Sequence, residues 1–335
     1  MRWSGAVRRV PSGWVWKTAL ALGTAAWVSA AAQPLAATGE LPADIQAWIQ
    51  RLNDATRQRA YSGTFVVTRG SDITTARVVH VCDGRQQIER IEVLNGPARV
   101  TWRRDDEVLT LLPDKQWGVR DRREVLRAFP GPLALAGFDV AQHYQAELRG
   151  GERLAGRDAW VVEFRPRDDW RYGYRIWSEK TSGLVLKLQI LGADGAVLEQ
   201  MAFTELQLDV PLQLQTLARQ MEETRGYRIE RPTLRKTTLE AEGWRLKSAV
   251  PGFRAVFCWV RDDAGARQPL HCVFSDGLAS LSLFFGAGDG LPGARTVSGA
   301  THVLAQRVGA HTITALGEVP PRTLERFVAA VERAR

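Results

Sequence analysis

Between residues 168 and 206, apolar and polar side chains alternate in three successive segments separated by short turn signals. A period of two puts alternate side chains on opposite faces of an extended strand. In the first segment Tyr172, Tyr174 and Ile176 share one face, while Arg171, Gly173, Arg175 and Trp177 share the other. After Thr181-Ser182-Gly183, Leu184, Leu186, Leu188 and Ile190 point one way and Val185, Lys187, Gln189 and Leu191 the other. Ala193-Asp194-Gly195 then turns the chain into a third strand from 196 to 206, since Asp-Gly ahead of an alternating run suits a tight hairpin. The pattern predicts a β-meander. Neither face is purely polar, so both should be covered by something.

The same reading extends along the chain. Leu41, Ile45, Trp48, Ile49, Leu52 and Ala55 fall at helical spacing, with Pro42 in the first turn, which predicts an amphipathic helix over 41–60. Strand-like runs follow at 64–69, 74–82, 86–94, 98–103, 107–112 and 116–122. An irregular stretch at 125–143, broken by Phe129-Pro130-Gly131-Pro132, is expected to include a short helix. Strands resume at 144–149, 153–154 and 159–165 and lead into the meander. About ten antiparallel strands must curl, and helices plugging the concave side give a half-open barrel. Residues 209–232 are Gln-rich and charged, and read as a linker. Beyond it, strands at 234–239, 244–248, 254–261, 270–274, 278–285, 302–308 and 311–317 and a closing helix over 321–334 predict a small α+β domain. The organisation is therefore a leader over 1–32, a half-barrel over 41–208, the linker, and a second domain over 233–335, in the α+β class.

The leader rests on its own pattern. Arg2, Arg8, Arg9 and Lys17 precede or enter an apolar run over 18–28, and Ala30-Ala31-Ala32 supplies small residues for cleavage. The run is shorter than the ~20 residues a bilayer span needs, so a cleaved secretory signal is expected over a retained anchor. Its removal lowers the formal charge from +8 to +4, because four basic and no acidic residues leave. A mature chain so weakly basic is not composed as a nucleic-acid binder.

The 3 cysteines suit an oxidising compartment. Cys258 and Cys272 stand equally far from Gly265 in the polar segment 261–268, so a hairpin turning there sets them opposite each other. A disulfide is expected, against two buried thiols flanking a turn. Cys82 is left as a small buried residue or, alternatively, an intermolecular bridge.

Catalytic chemistry is hard to find. The histidines His80, His143, His271, His302 and His311 stand at no metal-ligand spacing, and neither metal nor cofactor is expected. Gly286-Ala287-Gly288-Asp289-Gly290 lacks the Lys-Ser/Thr of a phosphate loop. Ser275-Asp276-Gly277 beside His271 lacks the Gly-x-Ser-x-Gly frame of a nucleophile and reads as a turn. Binding is what remains. Aromatic residues of the meander, among them Trp102, Trp160, Phe65 and Tyr174, either line an apolar cavity or form an ordinary core. Arginines from Arg99 to Arg175 either gather phosphate or carboxylate groups around it or form a solvated face.

Taken in order, Tyr61-Ser62-Gly63-Thr64-Phe65-Val66-Val67, Arg77-Val78-Val79-His80, Gly96-Pro97-Ala98-Arg99, Arg171-Tyr172-Gly173-Tyr174-Arg175-Ile176-Trp177, Val250-Pro251-Gly252-Phe253, Phe274-Ser275-Asp276-Gly277-Leu278 and Gly317-Glu318-Val319-Pro320 resemble the RseB/MucB family of periplasmic regulators of the envelope-stress sigma factor. The resemblance implies a first domain similar to the lipoprotein carriers LolA and LolB, an unclosed barrel with a lipid-accommodating cavity. It implies a periplasmic protein that binds the periplasmic segment of a membrane-anchored anti-sigma factor and shields it from proteolysis. Lipoprotein or lipopolysaccharide signals would release it. Phe65, Trp102, Trp160 and Tyr174 are the residues expected to line the acyl cavity. The alternative is a periplasmic lipid or lipoprotein carrier without a regulatory partner. Cys82 and the Cys258/Cys272 pair depart from the family's pattern, which leaves redox behaviour and a homodimer open.

Overall fold

The computed structural model describes residues 45–122, 138–261, 270–287 and 295–334. The leader expected over 1–32 and most of the irregular stretch lie outside them. A 14-residue helix, α1 (Ile45–Gln58), opens the described chain. Trp48, Ile49, Leu52 and Ala55 form its inner stripe, all at most 5% exposed. Burying each of the larger three is worth about 1.5–3 kcal/mol.

Twelve strands then build one sheet. They are β1 (Tyr61–Arg69), β2 (Asp72–Cys82), β3 (Gln87–Val93), β4 (Val100–Arg104), β5 (Glu107–Leu112), β6 (Trp117–Arg122), β7 (Tyr144–Leu154), β8 (Arg157–Pro166), β9 (Gly173–Glu179), β10 (Val185–Leu191), β11 (Val197–Leu208) and β12 (Arg228–Glu230). Their order is β12-β6-β5-β4-β3-β2-β1-β11-β10-β9-β8-β7. Neighbours are antiparallel except β12 and β6, which run parallel. The two ends do not pair with each other, so this is an unclosed antiparallel barrel.

Both faces are covered, as the mixed alternation requires. Trp48, Ile49 and Leu52 of α1 pack with Val162, Phe164, Tyr174, Ile176 and Ile190. Ala55 joins Tyr61, Phe65, Val78, Leu186 and Phe203. On β3 and β4, Glu89 pairs with Arg103 and Arg90 with Trp102. Successive positions face opposite ways, so Trp102 lies across the sheet from Arg103. There it packs with Val81, Ile88, Leu109 and Leu111 under Leu217 and Met221 of a second helix, α2 (Leu214–Glu222).

Details differ from the periodicity. Residues 209–232 carry α2 and β12, and Trp117 Nε1 donates to Glu230 at 3.0 Å. Apolar positions at helical spacing are hard to see in so polar a stretch. Residues 144–154 form one strand interrupted by a bulge between Leu148 and Gly150, where the glycine pair masks the alternation. The closing helix, α3 (Pro321–Ala330), stops early.

The second sheet has seven strands. β13 (Leu234–Thr237), β15 (Arg254–Arg261), β16 (Leu270–Ser275), β17 (Ser280–Ala287), β18 (Arg295–Ser298), β19 (Thr301–Val308) and β20 (His311–Gly317) take the order β13-β15-β16-β17-β20-β19-β18. Leu324, Phe327 and Val328 of α3 pack into its core with Phe253, Phe274, Leu283 and Ile313. The residues after α3 form β21 (Val331–Arg333), which pairs with β14 (Trp244–Leu246). Cys258 of β15 lies opposite Cys272 of β16, and the two are disulfide bonded.

If α2 closes its face of the large sheet, truncating fully buried Met221 to alanine should cost about 2–5 kcal/mol in urea unfolding. A loss below about 0.5 kcal/mol would show that the helix merely rests on the surface.

Candidate functional site

Three of the motifs singled out above, far apart in sequence, meet in space where the two sheets join. Arg171, in the loop between β8 and β9, has a side chain with no exposed surface. Its Nε donates to Asp168 Oδ1 at 2.9 Å, Nη1 to Asp276 Oδ2 at 2.8 Å and Nη2 to the Pro251 carbonyl at 2.6 Å. Asp276 is equally well served. Its Oδ2 also accepts from the Tyr144 hydroxyl at 2.9 Å, and its Oδ1 from the backbone N–H groups of Leu278 and Ala279. Burial pushes the Asp276 carboxyl above its usual range, opposed by Arg171 and these donors. Tyr144 is driven well above its ordinary value by burial and by the neighbouring Asp276 charge.

Two glycines make this approach possible. Gly252 has φ +79°, and a Cβ there would fall 2.7 Å from His143 Cε1 and 2.8 Å from Arg171 Nη2. Gly277 has φ +107°, and its Cβ would meet Phe138 at 2.8 Å. Both the left-handed backbone and the close packing exclude larger residues. The contact is apolar as well as charged: Leu278 and Ala300 enter the core under α1, while Trp170 packs on the small sheet's core. Thr323 Oγ1 donates to the Trp170 carbonyl at 2.7 Å, and the Tyr172 hydroxyl meets His302 Nε2 at 2.9 Å.

The aromatic residues expected to form an acyl site are placed separately. Tyr174 (1% exposed) packs under Trp48, and Phe65 (5% exposed) stands edge-on to Phe203 at 6.0 Å. Trp102 lies on the opposite face, beneath α2 and the Arg90 guanidinium. Trp160 is half-buried, with Lys180 Nζ 4.1 Å from its ring centre. The fold therefore does not bring the four together. An apolar cavity of about 120 Å³ occurs instead in the small sheet, between β18, β19 and α3, lined by Val297, Leu304, Pro321 and Leu324 with His302 and Glu325 at its wall. It adjoins β18, an edge strand on which Val297 is 62% exposed.

Two further polar clusters had no local signal. A buried row crosses β1 to β4 under α1: Tyr61 stacks on His80 at 4.9 Å, and Glu89 holds Arg103 at 3.2 Å. On β7 to β9, Arg149, Arg165 and Arg175 converge on Glu163. Burial alone would raise the Glu163 carboxyl, but hydrogen bonds from Arg149, Arg175 and Arg165 outweigh it and lower it to about 2. These arginines thus answer a carboxylate within the sheet. Ser275 also closes its turn, because its hydroxyl donates to the Ala279 carbonyl and accepts from Gly277 N–H, while His271 bonds Ser282 instead. Among the described residues no group of three His, Cys, Asp or Glu side chains could hold a metal ion.

Comparison with known proteins adds to this geometry. Residues 44–221 match the family model of the MucB/RseB N-terminal domain and residues 238–332 that of the MucB/RseB C-terminal domain. The sigma factor AlgU regulatory protein MucB of Pseudomonas aeruginosa is 29% identical over 303 residues, covering 86% of this chain and 91% of its own. The sigma-E factor regulatory protein RseB of Haemophilus influenzae is 25% identical over 294 residues, covering 85% and 90%. A crystal structure of MucB in complex with MucA(peri) superposes with a TM-score of 0.65 at 25% identity, covering 87% of this chain and 100% of that one.

Replacing Asp276 with alanine strands the Arg171 charge in the interior and should cost about 3–5 kcal/mol in denaturant unfolding. An Arg171→Met, Asp276→Leu double variant should recover much of that loss; additive losses would mean the pair is not coupled. The Glu163 network makes a separate prediction about acid. Because its folded value, about 2, lies below the ordinary 4.5, its stabilisation is complete above 4.5 and is lost as pH falls through 2. With partly exposed arginine partners the effect should be on the order of 1–3 kcal/mol, and Glu163→Gln should flatten that limb of the stability–pH curve.

Proposed function

The chain belongs to the MucB/RseB family of sigma-factor regulatory proteins, and from that premise we propose that it is a periplasmic negative regulator of the envelope-stress response. In this reading it binds the periplasmic segment of a membrane-anchored anti-sigma factor, shields that segment from proteolysis, and lets go when an acylated lipoprotein or lipopolysaccharide binds. The observation that carries it is the likeness, over the whole of that chain, to MucB crystallised with periplasmic MucA. Residues 41–208 form the ligand-sensing part and residues 233–335 the partner-binding part, with 209–232 between them. The partner segment lies along the edge of β18, on which no strand of the described residues pairs, and the adjoining cavity can take an apolar side chain. The acyl ligand enters beneath α1, against Phe65 and Tyr174, after the helix lifts. Release requires that the ligand favour a form that binds the segment less well, since tight ligand binding alone shifts nothing.

The experiment is a titration of the purified mature protein with the periplasmic segment of the host's anti-sigma factor, with and without lipopolysaccharide or an acylated peptide. Binding that weakens as lipid is added supports the regulator. Absence of segment binding, with lipid still bound, leaves a lipid carrier. Val297→Lys charges an exposed edge position without touching the core and should weaken segment binding about tenfold or more, about 1.4 kcal/mol. Undiminished affinity in that variant moves the partner elsewhere on the surface.

A further inference from the structure

Two of the chain's 5 histidines stand where the sheets join, and burial there lowers both below the ordinary histidine value. The ring of His143 lies against Gly252 of the small-sheet side. It faces Arg171 and Asp168 from the β8–β9 loop, Asp276 from the opposite side and Asp139 from its own turn. Burial first, and the Arg171 charge second, keep His143 below its usual value against the pull of the three carboxylates. His302 lies on β19, and its Nε2 meets the Tyr172 hydroxyl of the β8–β9 loop. Pro321, Leu324 and Glu325 of α3 and Thr296 and Val297 of β18 line the cavity that its ring walls. Burial lowers His302 as well.

The physical consequence follows from what a proton would do at each ring. On His143 it places a second cation near the buried Arg171 guanidinium, where both lie against Gly252. On His302 it charges a half-buried ring and removes the Nε2 lone pair that accepts from Tyr172 in the tautomer protonated at Nδ1. Opening the junction would expose both rings to water and relieve both penalties. The closed form thus binds fewer protons than the open one, and acid favours opening.

We propose that this junction is a proton-operated latch, in which protonation of His143 and His302 loosens the contact between the two sheets while leaving each sheet folded. The sign is determined by the closed form. Full closure holds above the ordinary histidine value of 6.5, and the contact weakens as pH falls below it. Asp276, raised by burial, acts in the opposite sense, because the closed form takes up its proton more readily than the open one, so the opening rests on the two histidines alone. The latch is independent of the partner and of any lipid.

The test uses the mature chain alone. Small-angle scattering and amide exchange, corrected for its intrinsic pH dependence, are followed from about pH 7.5 to about pH 5. The expected result is a larger radius of gyration and lost protection at residues 250–253 and 275–279 below the histidine value, with strand amides in both sheets still protected. A His143→Gln, His302→Gln double variant should lose this response, whereas His271→Gln, in a ring stacked on Phe284 away from the junction, should keep it. An unchanged junction down to about pH 5, or a response that survives in the folded double variant, overturns the latch. If the double variant does not fold, imidazole proton resonances of the wild-type chain decide: midpoints below 6.5 for both rings support the latch, and a midpoint at or above 6.5 for either overturns it.

Discussion

Arg171 is the constraint on which the joined structure depends. A guanidinium with no exposed surface is tolerable only if its donors are answered, and here the answers come from three directions: its own loop, the Pro251 carbonyl and Asp276. None of these partners can move far without stranding a charge. The ion pair therefore fixes where the two sheets sit against each other, and Tyr144, Gly252 and Gly277 are there to complete it. A pair of this kind adds little net stability over apolar side chains of the same shape, but it penalises every alternative arrangement heavily.

The rest of the architecture is closed by helices and internal ion pairs. Helices close opposite faces of the large sheet, and two of its buried carboxylates are met by arginines, Glu89 by Arg103 and Glu163 by three. Groups that resemble catalytic parts have structural partners: Ser275 closes a turn and His271 bonds Ser282. The chain's family is one of sigma-factor regulatory proteins.

What could be read in advance followed physical range. The meander was legible because alternation is local: Tyr174, Ile176 and Ile190 announce their shared face within a few residues, and all are buried together under α1. The Arg171–Asp276 pair spans 105 positions and had no such signal. Arg171 read as one position of an alternating face and Asp276 as a turn residue, a role it also fills. The aromatic set is dispersed for the same reason. Phe65, Trp102, Trp160 and Tyr174 are equally suited to a cavity by chemistry, but their faces and partners depend on register over twelve strands. The helix in 209–232 was hidden because only Leu217 and Met221 of its turns are fully buried.

The strand order carries a cost in time. β1 sits at the centre of the large sheet, hydrogen bonded on one side to β2 and on the other to β11, where Tyr61 lies opposite Leu208. A chain delivered N-terminus first can form the hairpins from β1 to β6 early, yet the inner edge of β1 stays open until about 140 further residues have arrived. During that interval Phe65 and Val67 lie on an unpaired edge strand able to pair with any extended chain nearby, including another copy. The longer the delivery of β11 takes, the longer that edge stays open to mispairing.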